Sequence, residues 1–240
     1  MKRFYKNVSI TSTPNGYEIH LDGKPVRTPT RNILLTKIKL LADNMAEEWR
    51  EQGEKICPDT MPLTQLVMTS IDKISPQRSD HQAEILDYLD TDLLCYRAPE
   101  TENFGRRQKE IWDPVLEWFA ERYGTSLSTT TQLSTLQQPL IAHERVKAEV
   151  ERLDDLRFTI LHLLTAETGS LILGLAFLNE ALDQEQVFQA ALVEDLLRAE
   201  IYLEEIYGAS PDQEKRRAKL RSELRGAALL LCLLNHPPAN

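Results

Sequence analysis

The spacing of hydrophobic positions changes near residue 36, and that change divides the chain into two kinds of sequence. Before it, "FYKNVSI" and "GYEIHL" are strand-length runs rich in β-branched and aromatic residues, separated by the turn-forming "TSTPNG". "LDGK" offers a second tight turn through Asp22 and Gly23, so a hairpin or small meander is expected. Pro25 and Pro29 suit an edge strand and its exit, because proline has no N–H to give to a ladder. From Thr36 onward Ile38, Leu41, Met45 and Trp49 recur at three- and four-residue steps, while Lys37, Lys39, Asp43, Glu47 and Arg50 point elsewhere. That is an amphipathic helix, stopped by Gly53 and Pro58. A second helix is expected from Pro62 through Leu66, Thr69, Ser70 and Ile74, and Ser79 and Asp80 then read as caps for "HQAEILDYLD". Asp113-Pro114 reads as an N-cap and first-turn proline that begins or kinks the helix carrying Trp118 and Tyr123.

After the polar segment "TSLSTTTQLSTLQQP" the pattern is helical to the end, over about 140–153, 155–167, 169–182, 184–207 and 211–234. The predicted fold class is therefore α+β, a small N-terminal β-containing domain followed by a larger all-α helical domain. The composition shift places the boundary near 95–105, with the 125–139 loop as the alternative, giving domains at 1–98 and 99–240. On the 184–207 stretch, Phe188, Leu192, Leu196, Ala199, Leu203 and Ile206 form one apolar stripe, with Asp195 in its middle and Glu200 at its edge. A lone acid on an apolar face needs a basic partner, on a neighbouring helix or on another protein, and pairing within the fold is the expectation for Asp195. Glu194, Glu204 and Glu205 read as a solvated face. Trp49 completes the first helix's stripe and reads as core, whereas Trp112 and Trp118 read as anchors of an interdomain core or of a partner surface.

Composition narrows the function classes. With 240 residues, 42% hydrophobic and 27% charged, the chain can bury a real core. A net charge of -9 disfavours nonspecific nucleic-acid binding, which needs a basic face. Cys57, Cys95 and Cys232 form no CxxC pair, and with five histidines no zinc site or disulfide framework is expected, so a reducing compartment is the simplest setting. The apolar runs at 171–178 and 227–234 fall far below the ~18–20 residues that span a bilayer. The N-terminus lacks the apolar core of a secretory signal. A monomer in the bacterial cytoplasm is expected, or in the mitochondrial matrix if a presequence was removed.

Catalytic motifs fail one by one. "AHERV" begins like a zinc-protease pattern, but Lys147 stands where the second histidine belongs. "DGKPVRT" has no glycine-rich phosphate cradle ahead of its lysine, and neither a Gly-x-Ser-x-Gly elbow nor a dinucleotide fingerprint occurs. "TDLLCYRAPE" is the densest cluster of reactive side chains. Asp92, Cys95 and Arg97, with a distant base, would describe a small cytoplasmic hydrolase. The simpler expectations are that Cys95 is a buried small hydrophobe and that Arg97 pairs with Asp92.

Taken in order, "RFYKNVSI", "GYEIHLDGKPVRTP", "EEWREQGEKICPDTMPLTQL", "TDLLCYRA", "RRQKEIWDPVLEW" and "TGSLILGLAFL" resemble the ATP-twelve family of assembly chaperones, over about residues 3–235. The resemblance implies an α+β domain followed by a helical domain, no enzymatic activity and no cofactor. It implies a protein partner, the unassembled α subunit of the catalytic head of the F-type ATP synthase, held until it pairs with β. The family carries an acid in the late helix shortly before a "WG" pair. Here that pair is Tyr207-Gly208, which places the acid at Glu200. Glu200, Tyr207 and Asp195 are thus the expected client-binding residues, and Trp49, Asp92, Tyr96, Arg97 and Trp112 the expected structural or interdomain ones.

Overall fold

A computed structural model describes residues 1–201 and 211–235. It contains a small N-terminal antiparallel sheet of four strands followed by helices, the α+β arrangement expected from the pattern. The chain forms two compact units, Met1–Arg78 with Arg225–Asn240, and Ser79–Leu224. The sequence expectation put the division at residue 98, so residues 79–98 fall in the second unit and the end of the last helix in the first.

In the first unit, β1 (Val8–Thr13) and β2 (Gly16–Leu21) make a hairpin in which Ile10 faces Ile19 and Thr13 faces Gly16. Gly16 is obligatory there: its φ is +136°, and a Cβ would lie 2.6 Å from the Thr36 carbonyl oxygen. Asp22 and Gly23 both take positive φ, the two-residue turn that matches strand twist, and lead into β3 (Lys24–Pro25). Pro25 does lie in a strand at the end of the sheet order, and β4 (Leu35–Thr36) pairs with the other end of β2. Ile19, Leu21 and Leu34 are buried, as is the apolar face of α1 (Lys39–Arg50), Leu41, Met45 and Trp49. Trp49 is thus core: its carbonyl accepts the Tyr5 hydroxyl at 2.6 Å, and the two rings meet edge to face.

The helix expected from Pro62 to Ile74 is α2 (Pro62–Thr69) followed by a π-helical turn over Ser70–Ile74. The backbone stays right-handed past Pro76 into α3 (Arg78–Thr91). Glu48, reaching from α1, accepts the first free amides of α2, from Leu63 at 2.7 Å and Thr64 at 2.8 Å. Burial pushes the Glu48 carboxyl above its ordinary range, against hydrogen bonds that favour its charge.

The second unit is helical. Its helices among the described residues are α3 from Ser79 on, α4 (Asn103–Tyr123), α5 (Leu140–Arg152), α6 (Asp155–Thr168), α7 (Leu171–Leu178), α8 (Gln184–Ala191), α9 (Val193–Ile201) and the first part of α10 (Pro211–Asn235). The helix of Trp118 begins at Asn103, ten residues before Asp113, and holds Pro114 in its interior. The stretch expected as one helix over 184–207 breaks at Leu192, whose φ of -114° and ψ of 19° close α8 before α9 begins.

At the centre lies α7, "LILGLAFL", buried from Leu171 to Phe177. Such a helix has no water for its first amides, so they must be satisfied by protein. Ser170 caps it by accepting from the Leu173 amide at 3.0 Å. Fully buried Asp92 accepts the Ser170 hydroxyl at 2.7 Å, the Ile172 amide at 3.0 Å and the Leu94 amide at 3.1 Å. Burial raises the Asp92 carboxyl to about 6, while those three donors pull the other way.

Two outcomes are expected. Glu48→Ala strips two amides of their acceptor and should cost about 1–3 kcal/mol. Chemical denaturation with hydrogen exchange checks it, the faster exchange appearing at Leu63 and Thr64. Asp92→Ala should cost about 3 kcal/mol at pH 7, because three buried donors lose their acceptor. Asp92 holds its proton longer when folded, so its contribution to stability falls as pH rises from about 4 to about 6. That slope should be missing from denaturation curves of the variant.

Candidate client-binding surface

The acids singled out by the sequence lie on α9. Asp183 caps the preceding helix through a reciprocal box with Gln186, which fixes where α8 starts and therefore where α9 falls. Phe188 and Leu192 are buried and Leu196 and Ala199 half-buried, while Leu203 and Ile206 lie outside the described residues. The break at Leu192 means that the single apolar stripe of the sequence reading is two shorter faces.

Asp195 is paired inside the fold, as expected of an acid set among apolar residues. Its Oδ2 accepts from Arg216 at 3.1 Å, and its carbonyl oxygen accepts from Arg217 at 3.0 Å, both on α10. Glu194 is half-exposed, as a solvated face requires, yet it also makes a contact into the fold. It accepts from Gln108 at 2.7 Å, and Gln108, fully buried on α4, accepts the Ala98 amide at 2.7 Å. Nothing local in "RRQKE" marks Gln108 as buried, so only the fold reveals this link.

Glu200 is the exposed acid of this helix. It makes no ion pair or side-chain hydrogen bond among the described residues. Beside it Ile201 is 48% exposed, which sets an exposed carboxylate next to an exposed apolar side chain. Tyr207, the third expected client-binding residue, lies outside the described residues.

The reactive-looking "TDLLCYRA" belongs to the interior of the second unit. Arg97 does not pair with Asp92. Its guanidinium forms an ion pair with Asp113 and donates to the Leu94 carbonyl at 3.1 Å, because Asp92 is already committed to the α7 terminus. The Tyr96 hydroxyl donates to the Asp90 carbonyl at 2.9 Å and accepts the Leu136 amide at 3.0 Å. Trp112 is buried and donates its indole N–H to the Ala190 carbonyl at 2.9 Å, fastening α4 to α8.

Cys95 is wholly buried, and burial, then the neighbouring Asp92 charge, pushes its thiol up to about 12. A nucleophile needs the opposite shift. A cavity of about 320 Å³ opens beside Arg97, Gly105 and Thr129–Gln132, but neither Asp92 nor Cys95 lines it. The three groups of the hydrolase alternative therefore do not converge on a substrate site.

With this geometry in view, the likeness to known proteins is specific. The ATP12 chaperone protein family matches residues 2–120. The mitochondrial Atp12 protein of Schizosaccharomyces pombe is 29% identical over 161 residues, which are 63% of this chain. The chain spans about half, 54%, of the length of that relative. Among solved structures, Atp12 from Paracoccus denitrificans is 33% identical, with 97% of each chain covered and a TM-score of 0.84. A protein of Agrobacterium tumefaciens, described as a candidate chaperone, is also 33% identical, covering 97% of this chain and 86% of that one at a TM-score of 0.86. The chain belongs to the ATP12 chaperone family.

Proposed function

We propose that this protein is an assembly chaperone for the catalytic head of the F-type ATP synthase, binding the unassembled α subunit and preventing its aggregation until it pairs with β. The observation that carries the reading is the full-length likeness to Atp12 from Paracoccus denitrificans, 97% of both chains. The ordered motifs from "RFYKNVSI" to "TGSLILGLAFL" support it. So does the physics of an orphan subunit: surfaces meant for a neighbour aggregate unless covered, and a partner that covers them stabilises the monomer by mass action.

The client-binding residue is Glu200, together with Tyr207 and Asp195. Glu200 and Ile201 together offer charge for register and apolar area for affinity, the combination an interface rim uses. Asp195, already bound to Arg216, supports this surface by holding α9 against α10, and reaches a client only by exchanging that arginine. The protein acts in the bacterial cytoplasm, or in the mitochondrial matrix. Among the described residues no helix is long and apolar enough to cross a membrane.

In a light-scattering assay on purified α subunit, the wild-type chain should suppress aggregation at equimolar ratio. Glu200→Lys, an exposed change that leaves the fold intact by circular dichroism, should weaken binding about tenfold, since a reversed charge at a rim contact costs on the order of 1.4 kcal/mol. Equal suppression by both proteins removes Glu200 from the site, and suppression by neither removes the client. Thiol titration checks the enzyme alternative separately. Cys57 and Cys232 are exposed and should react in the native protein, whereas Cys95 should react only after denaturation. A Cys95 that labels rapidly at pH 7 would restore the hydrolase reading.

A further inference from the structure

Folding joins three groups that their spacing in sequence keeps apart. His81 and Glu84 sit one helical turn apart on α3, and His162 comes from α6. His81 Nδ1 lies 3.2 Å from Glu84 Oε2, and His162 Nε2 lies 3.7 Å from the same oxygen. One ligand-type atom from each of the three residues falls within 4.8 Å of the others. Four ligands around a tetrahedral zinc ion, at bonds near 2.1 Å, stand about 3.4 Å from one another, so two of the three separations already match that spacing.

We infer that His81, Glu84 and His162 form a binding site for a first-row divalent cation of the zinc type, clipping α3 to α6.

Three features support it. The donor set, two imidazoles and a carboxylate, is one that zinc accepts and that magnesium and calcium, which seek oxygen, do not. Both histidine side chains are about nine-tenths buried, 9% and 11% exposed, and their rings are locked edge to face at 4.8 Å. Rotamers so fixed lose little entropy on binding. Glu84 is 59% exposed, leaving an approach from solvent and a place for water as fourth ligand. Binding would link two helices of the second unit and stabilise it, without involving the client surface.

The test uses the full chain with Cys57→Ser and Cys232→Ser, which removes exposed thiols that would compete for metal, after treatment with a chelator. Calorimetric titration with Zn²⁺ should give one equivalent per chain, and Co²⁺ should give the visible absorption of a four-coordinate site. The Tm should rise with Zn²⁺. Glu84→Gln at the exposed ligand, and His162→Gln separately, should each lower affinity at least about tenfold. His143→Gln, whose ring pairs with Asp90, should leave it unchanged. Absence of saturable binding at one equivalent overturns the site, as does a Glu84→Gln titration that matches the parent.

Discussion

A buried helix that starts in the dry interior must have its first amides answered by protein, and in this chain Asp92 answers them. The helix "LILGLAFL" gains its stability from apolar burial on every side, which is also what denies its N-terminus any water. One carboxylate gathers the Ile172 amide, the Ser170 hydroxyl that itself caps the helix, and the Leu94 amide of its own segment. A negative charge at that end also meets the positive end of the helix dipole. The Leu93 amide adds a bond to the Gly169 carbonyl at 3.0 Å, so the two segments hold each other on both sides. Much else follows from this commitment. Arg97, left without Asp92, turns to Asp113, and Cys95 is carried into a place where burial raises its thiol to about 12.

The first unit repeats the device at smaller scale. Glu48 reaches from α1 to the opening amides of α2, where Pro62 leaves the first position without a donor and Leu63 and Thr64 supply the rest. In both units a carboxylate far in sequence from the helix it caps turns a local requirement into a tertiary link. Such links are specific in a way that apolar contacts are not, since the acceptor must sit within hydrogen-bond reach of particular amides.

Much of this architecture was legible from residue spacing. The hairpin through Asp22-Gly23, the stripe of Leu41, Met45 and Trp49, and the helices at 140–152 and 155–168 all follow from local period and turn chemistry. What was not legible depended on distant partners. "TDLLCYRA" looks chemical because its side chains are polar and reactive, and only the position of α7 shows that Asp92 serves a helix terminus. The break at Leu192 left no proline or glycine to announce it, and Gln108 carries no local mark of burial. The sequence placed Asp195 and Glu200 on one helix, as the structure does. Only the fold tells their environments apart: Asp195 is occupied by Arg216 and Glu200 stands exposed beside Ile201.

The proposed chaperone reading asks for an accessible surface and not for a pocket of perturbed groups. A net charge of -9 disfavours self-association of the free chain, and under the proposed reading the exposed Glu200 carboxylate beside Ile201 would meet a basic, apolar partner. The most direct measurement of the account is a titration of this chain with isolated α subunit and, in parallel, with isolated β subunit, followed by fluorescence anisotropy. The account predicts saturable binding to α, none to β at the same concentrations, and loss of the α complex when β is added. Binding to β with α ignored, or an α complex that β does not displace, would contradict it.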